Sequence, residues 1–288
     1  MNKNLIVLSG FGYIAKKLLK QLNNEQVLTL SRSAISHDNN KHQHLVIDLD
    51  QSNVIDLQNL NAEQVTIVYL VPPNNQLSKD PRLRNFLQSI KVIKAHIDKF
   101  ILISTTAVYG DCNGDWVNEE SPLSLQLDKA SRRFQMEQDS SDFCRQNNIP
   151  LTILRVAGIY AKDKLPIKRL SEAKPVLKLS ESPYSNRIHA DDLSNIIFHS
   201  INEDHEGIFN CCDSCPSTMS EYFINLAKAL NYPEPAQISF QQAKKEFSTQ
   251  MMNYLSESRR ISNKKLLSEF QITLRYPSLA EFISTIRR

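Results

Sequence analysis

Apolar positions change period repeatedly along this chain, and each change marks an element. Leu5, Ile6, Val7 and Leu8 form a short continuous apolar run, as in a strand buried on both faces. After Gly12 the spacing becomes helical. Ile14, Leu18 and Leu22 line one face with Ala15 and Leu19 beside them, while Lys16, Lys17 and Lys20 fall mostly elsewhere. The unit reads strand, tight turn, helix. Further strands are expected at 25–33, 44–50, 65–73, 100–110 and 151–160, with helices over 86–99 and roughly 126–147. Strands alternating with helices predict an α/β protein built on a Rossmann-type, doubly wound parallel sheet.

From about 161 the pattern shifts to shorter helical pieces. Thr218, three residues before Glu221, makes a capping box at the head of TMSEYFINLAKAL. More helices are expected near 240–247, 262–270 and 278–287. This part reads as a smaller, mostly helical C-terminal lobe.

Glycine usage sharpens the reading of the first turn. The 288 residues hold six glycines, where average usage would give about twenty. A chain this poor in glycine keeps those whose backbone geometry other residues cannot supply. Gly10 and Gly12 fall in the pattern Gly10-x-Gly12-x-x-Ala15 between the first strand and its helix. That is the phosphate-binding turn of a dinucleotide site: one glycine allows the turn and the second admits the pyrophosphate. The third small residue lets the helix pack on the sheet. The turn's expected cofactor contacts are Gly10, Phe11, Gly12, Tyr13 and Ile14.

The end of the second strand selects the cofactor. An acid there would take the adenosine ribose hydroxyls of NAD, but Ser31, Arg32 and Ser33 offer none. Arginine grips phosphate with paired, charge-assisted hydrogen bonds, so NADP is favoured over NAD. Asp48 and Leu49 after the third strand, with Val71 and Pro72 after the fourth, extend the expected contact set.

Charge and cysteine usage exclude other classes. A net charge of +3 from interspersed acids and bases gives no basic stripe for nucleic acid. No apolar run approaches the ~20 residues of a membrane span, and MNKNLIVLSG reads as a first strand, not a signal peptide. Five widely spread cysteines read as reduced thiols, and the expected setting is cytoplasmic. Cys212 and Cys215 form a C-x-x-C pair without a second pair at zinc spacing, so no metal site is expected. His42 and His44 in KHQH read as a solvated loop.

STTAVYGD (104–111), LRVAGIY (154–160), NRIHADDLS (186–194) and RRISNKKL (259–266) together resemble the extended short-chain dehydrogenase/reductase family. This is the NAD-dependent epimerase/dehydratase group, and the likeness is closest to its atypical branch. The resemblance implies a Rossmann domain over 1–160, with part of 186–212 returning to it, and a substrate lobe over 161–185 and 213–288. It also implies that Thr105, four residues before Tyr109, hydrogen-bonds the reacting oxygen.

The family's Tyr-x-x-x-Lys pair follows on the next helix, with a Glu four residues after the lysine. Anchored on Glu137, the lysine position falls at Arg133 and the tyrosine position at Lys129. No tyrosine lies between Tyr109 and Tyr160, whatever the anchor. A positioned general acid is worth about 10²–10⁴ in rate, so its replacement matters. Lys129, sharing a helix face with Arg133, and Tyr109 are the two candidate donors; solvated or packed side chains are the alternative readings. Lys129 and Arg133 also suit a clamp on the cofactor ribose. Where some family dehydratases read T-D-E-V-Y-G this chain has Thr106 and Ala107, which argues against sugar dehydration.

Arg155 and Arg187 are candidate substrate contacts, with ion pairs to Asp191 or Asp192 as the other reading. Arg260 is either a diphosphate ligand or an exposed helix-start charge. Three functions stay open. One is an NADP-dependent oxidoreductase or epimerase acting on a nucleotide-sugar-like or small carbonyl substrate. Another is a catalytically inactive NADP sensor or scaffold for a protein partner, and the last is the same fold reused for unrelated chemistry. A homodimer is compatible with the sequence but not signalled by it.

Overall fold

A computed structural model describes residues 4–35, 41–51, 62–74 and 80–286. The chain forms two compact units. The first comprises Met1–Val108, Leu125–Arg155 and Leu193–Phe209, and the second comprises Tyr109–Ser124, Val156–Asp192 and Asn210–Arg288. Residues 109–124 thus group with the second unit, whereas the boundaries read from sequence put them in the first.

Seven strands form one sheet: β1 (Asn4–Ser9), β2 (Gln26–Ser31), β3 (His42–Val46), β4 (Gln64–Tyr69), β5 (His96–Thr105), β6 (Leu151–Val156) and β7 (Gly207–Cys211). Their order is β7-β6-β5-β4-β1-β2-β3. β1 pairs in parallel with β2 and β4, β2 with β3, and β4 with β5. The strand order reverses between β1 and β4. That switch point, at the carboxyl ends of the strands, is where doubly wound sheets bind ligands.

Three helices matter for the site: α1 (Tyr13–Leu19), α2 (Pro81–Ile90) and α3 (Asp128–Asn147). The stripe read from sequence is the buried one, since Ile14, Ala15 and Leu18 are buried. On one face of the sheet Val7, Leu30, Ile67 and Leu102 share a core with Phe86 of α2 and Met136 of α3. Tyr69, Phe86 and Phe100 pack together within it, with centroids 5.2 to 6.5 Å apart.

Several boundaries differ from the pattern-based reading, each for a local reason. The helix expected over 86–99 ends at Ile90, and His96 already pairs with Gln64 on β4. Its true start is set by Asp80, whose side chain accepts from the Arg82 amide at 3.3 Å, with Pro81 at the first helical position. The strand expected over 44–50 is β3, which begins two residues earlier and ends four residues earlier, where Asp48 turns the chain by accepting from the Asp50 amide at 3.0 Å. His42 and His44 therefore lie on a strand and not in a solvated loop. The run 151–160 splits at Ala157: Gly158–Tyr160 leaves the main sheet to pair with Arg187–His189. Beyond Thr105 the fifth strand gives way to a short 3-10 turn over Thr106–Tyr109.

In the second unit the capping box at Thr218 and Glu221 is present and opens the helix Met219–Ala229. Helices also cover Phe240–Glu246, Lys264–Phe270 and Leu279–Ile286, close to expectation, though residue 287 lies outside the described residues. Thr249–Leu255 is a helix that periodicity missed. This unit has its own core around Phe223, Leu226, Phe282 and Ile283.

Candidate functional site

The expected cofactor residues of the first unit gather at the carboxyl edge of the sheet. Leu30 at the end of β2 accepts from both the Gly10 amide (2.9 Å) and the Phe11 amide (3.2 Å). The glycine turn is thereby hung on the neighbouring strand. Gly10 sits at φ +97°, and a side chain there would meet Val71 and the Leu70 backbone at 3.0 to 3.1 Å. Only glycine fits comfortably.

Gly12 is different. A Cβ built on it meets nothing within 4 Å, so its outer side is open space. A main-chain turn kept bare where no internal contact demands it leaves room for a pyrophosphate, while Ala15 is fully buried, as the packing of the helix on the sheet requires.

Beyond β2, Ser31 Oγ donates to the Ser33 carbonyl at 2.9 Å, and Arg32 and Ser33 are exposed. Asp48 is exposed and uses its carboxylate on its own turn, taking the Asp50 amide at 3.0 Å. Leu49 is buried, and its carbonyl accepts from Asn85 Nδ2 at 2.9 Å.

Sequence reasoning missed the group that fixes the loop after β4. Arg82 makes two 2.7 Å bonds to the Asp50 carboxylate and donates to the Pro72 carbonyl at 2.9 Å. Asn74 adds a 2.9 Å bond to Asp50. The Arg82 bonds hold the Asp50 carboxyl below its ordinary range, and Asp50 in turn raises the arginine. Val71 and Pro72 are positioned by this pair. Its members lie far apart in sequence, so no local pattern could have revealed it.

On α3 (Asp128–Asn147) Lys129, Arg133 and Glu137 lie on successive turns. Ser104 Oγ donates to Glu137 Oε1 at 2.5 Å, and Arg155 pairs with the same carboxylate at 2.8 Å, both side chains almost wholly buried. One turn earlier, Arg133 Nη1 donates to the Ile103 carbonyl at 3.2 Å. Burial lowers the Arg133 guanidinium to about 10. One further turn back, Lys129 is exposed. Helix geometry carries it about 6 Å further along the same face. Thr105, at the end of β5, is half-buried; its hydroxyl oxygen accepts from the Ala107 amide at 3.3 Å, which leaves its hydrogen to donate elsewhere.

Tyr109, the other candidate donor, is 1% exposed, and its hydroxyl donates to Asn210 Oδ1 at 2.8 Å within the second unit. Arg155 pairs with Glu137, where the sequence had offered Asp191 or Asp192. Arg187 is buried in the second unit, where Nη1 donates to Ser217 Oγ at 2.9 Å and the guanidinium lies 4.1 Å over the Tyr222 ring. Burial lowers its pKa. Each arginine is bonded inside its own unit. Arg260 lies between Trp116 and Tyr184 and donates to the Gly114 carbonyl at 2.6 Å. Asp192 accepts from the Arg275 and Tyr276 amides at 2.6 and 3.0 Å.

Among the described residues no cluster of His, Cys, Asp and Glu is suited to a metal ion, and no helix is long and apolar enough to cross a membrane. Cys212 is buried and its thiol donates to the Ile261 carbonyl, whereas Cys215 is exposed.

A parallel sheet of order 3-2-1-4-5-6-7, with a bare glycine turn at its switch point, defines a Rossmann-type protein of dinucleotide-site architecture. The chain belongs to the NAD dependent epimerase/dehydratase family, whose model matches residues 5–212. Among curated proteins no relative matches the sequence. Solved structures share the fold. A conserved protein of unknown function from Silicibacter pomeroyi DSS superposes with TM-score 0.81 at 23% identity, covering 98% of this chain and 97% of that one. UDP-glucose 4-epimerase from Thermotoga maritima, solved with UDP-glucose, gives 0.75 at 15% identity over 98% and 97%. The human epimerase family protein SDR39U1 (isoform 2), solved with NADPH, gives 0.74 at 17% identity over 98% and 99%.

Proposed function

We propose that this chain is an NADP-dependent oxidoreductase or epimerase-like enzyme. Its substrate is a nucleotide-sugar-like or other small carbonyl compound, and its active site is non-standard. The observation that carries the reading is the face of α3. Arg133 binds the Ile103 carbonyl and Glu137 binds Ser104, which supports the helix register in which Lys129 takes the usual tyrosine's place.

In this reading Gly10 to Ile14 hold the pyrophosphate, and Arg32 with Ser31 and Ser33 takes the 2′-phosphate. Asp48, Leu49, Val71 and Pro72 flank the adenosine. A bound nicotinamide would supply hydride transfer. Thr105 donates its hydroxyl hydrogen to the reacting oxygen, its own oxygen being held by the Ala107 amide. Lys129 Nζ supplies the proton, and Arg133 is assigned to the cofactor ribose. Tyr109 has no part in proton transfer, because its hydroxyl is buried on Asn210. We assign Arg155 and Arg187 to positioning and not to substrate contact. The long-range similarity to a UDP-glucose epimerase and to a protein solved with NADPH is consistent with both the substrate class and the cofactor.

The test is to follow NADPH absorbance with the purified chain across a panel of sugar nucleotides and simple carbonyls, with Lys129→Met and Thr105→Val in parallel. Turnover that falls at least a hundredfold in each variant is expected. NADPH that binds but is never oxidised, with no epimer formed from any sugar nucleotide as followed by chromatography, would instead make the chain a cofactor-sensing scaffold, the function favoured by an exposed Lys129.

A further inference from the structure

The structure assigns His44 a role in cofactor selection: we propose that it is the positioning residue that sets the preference for the 2′-phosphate. This deepens the NADP reading above and rests on it.

His44 lies on β3 directly across from Thr29 on β2. Its Nε2 is 2.9 Å from the Ser33 carbonyl, and its Nδ1 is 2.8 Å from Thr29 Oγ1. Its ring also packs at 6.4 Å centroid distance against Phe11 in the glycine turn. One side chain therefore touches both segments expected to hold the dinucleotide: the turn for the pyrophosphate and the stretch Ser31–Ser33 for the adenosine ribose.

The chemistry of the partners fixes the ring's protonation at one nitrogen. A carbonyl oxygen only accepts, so Nε2 must carry hydrogen and donate to Ser33. Thr29 is amphoteric. It donates to Nδ1 of a neutral ring, or accepts from Nδ1–H of a charged ring while donating to the Gln43 carbonyl, 3.2 Å away. The bond to Ser33 survives both states.

The Ser33 carbonyl accepts twice, from His44 Nε2 and from Ser31 Oγ, each at 2.9 Å. Held inward in this way, it leaves Arg32 and Ser33 as the exposed side chains of the segment. Without His44 the Ser33 carbonyl keeps the serine bond but loses the tie to β3 that the imidazole provides. NADP differs from NAD only by the 2′-phosphate, so a fault at Arg32 and Ser33, the exposed side chains assigned to that phosphate, weakens NADPH more than NADH.

The experiment measures dissociation constants of NADPH and NADH by isothermal titration for wild type, His44→Leu, His44→Gln and Arg32→Ala. Thermal melts check that each variant folds. His44→Leu is expected to weaken NADPH about five- to tenfold and to leave NADH within about twofold, the worth of one hydrogen bond. His44→Gln, whose amide nitrogen can replace Nε2, should restore most of the NADPH affinity. Equal loss of both coenzymes in His44→Leu, or no change in either, overturns the proposal. In both cases selective loss in Arg32→Ala shows that the NADP reading itself still stands. A wild type that binds neither coenzyme, or prefers NADH, removes that reading and the proposal with it.

Discussion

Replacing Arg155 by methionine tests whether this arginine is a strut or a ligand. In the native chain its Nε lies 3.1 and 3.3 Å from the two Glu137 oxygens and its Nη2 lies 2.8 Å from one of them. The two side chains are 3% and 4% exposed. Arg155→Met keeps most of the volume but, among the described residues, leaves Ser104 as the hydrogen-bond partner of the Glu137 carboxylate. An uncompensated charge at such a site costs about 3–5 kcal/mol. A domain's whole stability is about 5–15 kcal/mol, so the loss is large. The double variant Glu137→Leu/Arg155→Met removes both charges and should return to within about 2 kcal/mol of wild type, because desolvation of the intact pair cancels most of its attraction. Urea unfolding followed by far-ultraviolet circular dichroism measures all three, and the cycle yields the coupling between the partners. The reasoning is refuted if Arg155→Met loses less than about 1 kcal/mol. Abolished turnover on top of that would make the guanidinium a substrate ligand after all.

Other outcomes follow from the same geometry. Gly12→Ala, with open space around its Cβ, should fold as wild type yet weaken NADPH at least about tenfold; Gly10→Ala, at positive φ against Val71, should lose about 1–3 kcal/mol of stability. Arg82→Met frees Pro72 and Asp50 and should weaken both coenzymes alike, which titration of NADH and NADPH will show. Burial raises the Asp213 carboxyl to about 7, above its unfolded value of 3.8, so its favourable contribution is complete below about pH 4 and lost as pH rises through 7. Asp213→Asn should therefore unfold at higher urea than wild type at pH 8 and lose that advantage by pH 4. Thiol labelling of the folded chain should modify Cys215 first and leave Cys144 untouched, its thiol pushed up to about 12 by burial.

What the sequence determined by itself is what lies within a few residues of each decision. The apolar run at 5–8, the glycine turn and the stripe through Ile14 and Leu18 identified the first strand–helix unit, because period and turn chemistry are local. Thr218 and Glu221 announced their helix for the same reason. Errors came where a local signal was faint or overruled. Asp80-Pro81 started α2 earlier than the apolar stripe suggested, and pairing with β4 made a strand of residues that read as helix. The site divides in the same way. Gly10, Gly12 and Arg32 could be named as candidates because a bare turn and a missing acid can be read in line. The Arg155–Glu137 pair, the Asp50–Arg82 clamp and the reach of His44 to Ser33 were not. Those contacts join residues far apart in the chain, and they exist only once strand register and helix placement bring the atoms within hydrogen-bonding distance.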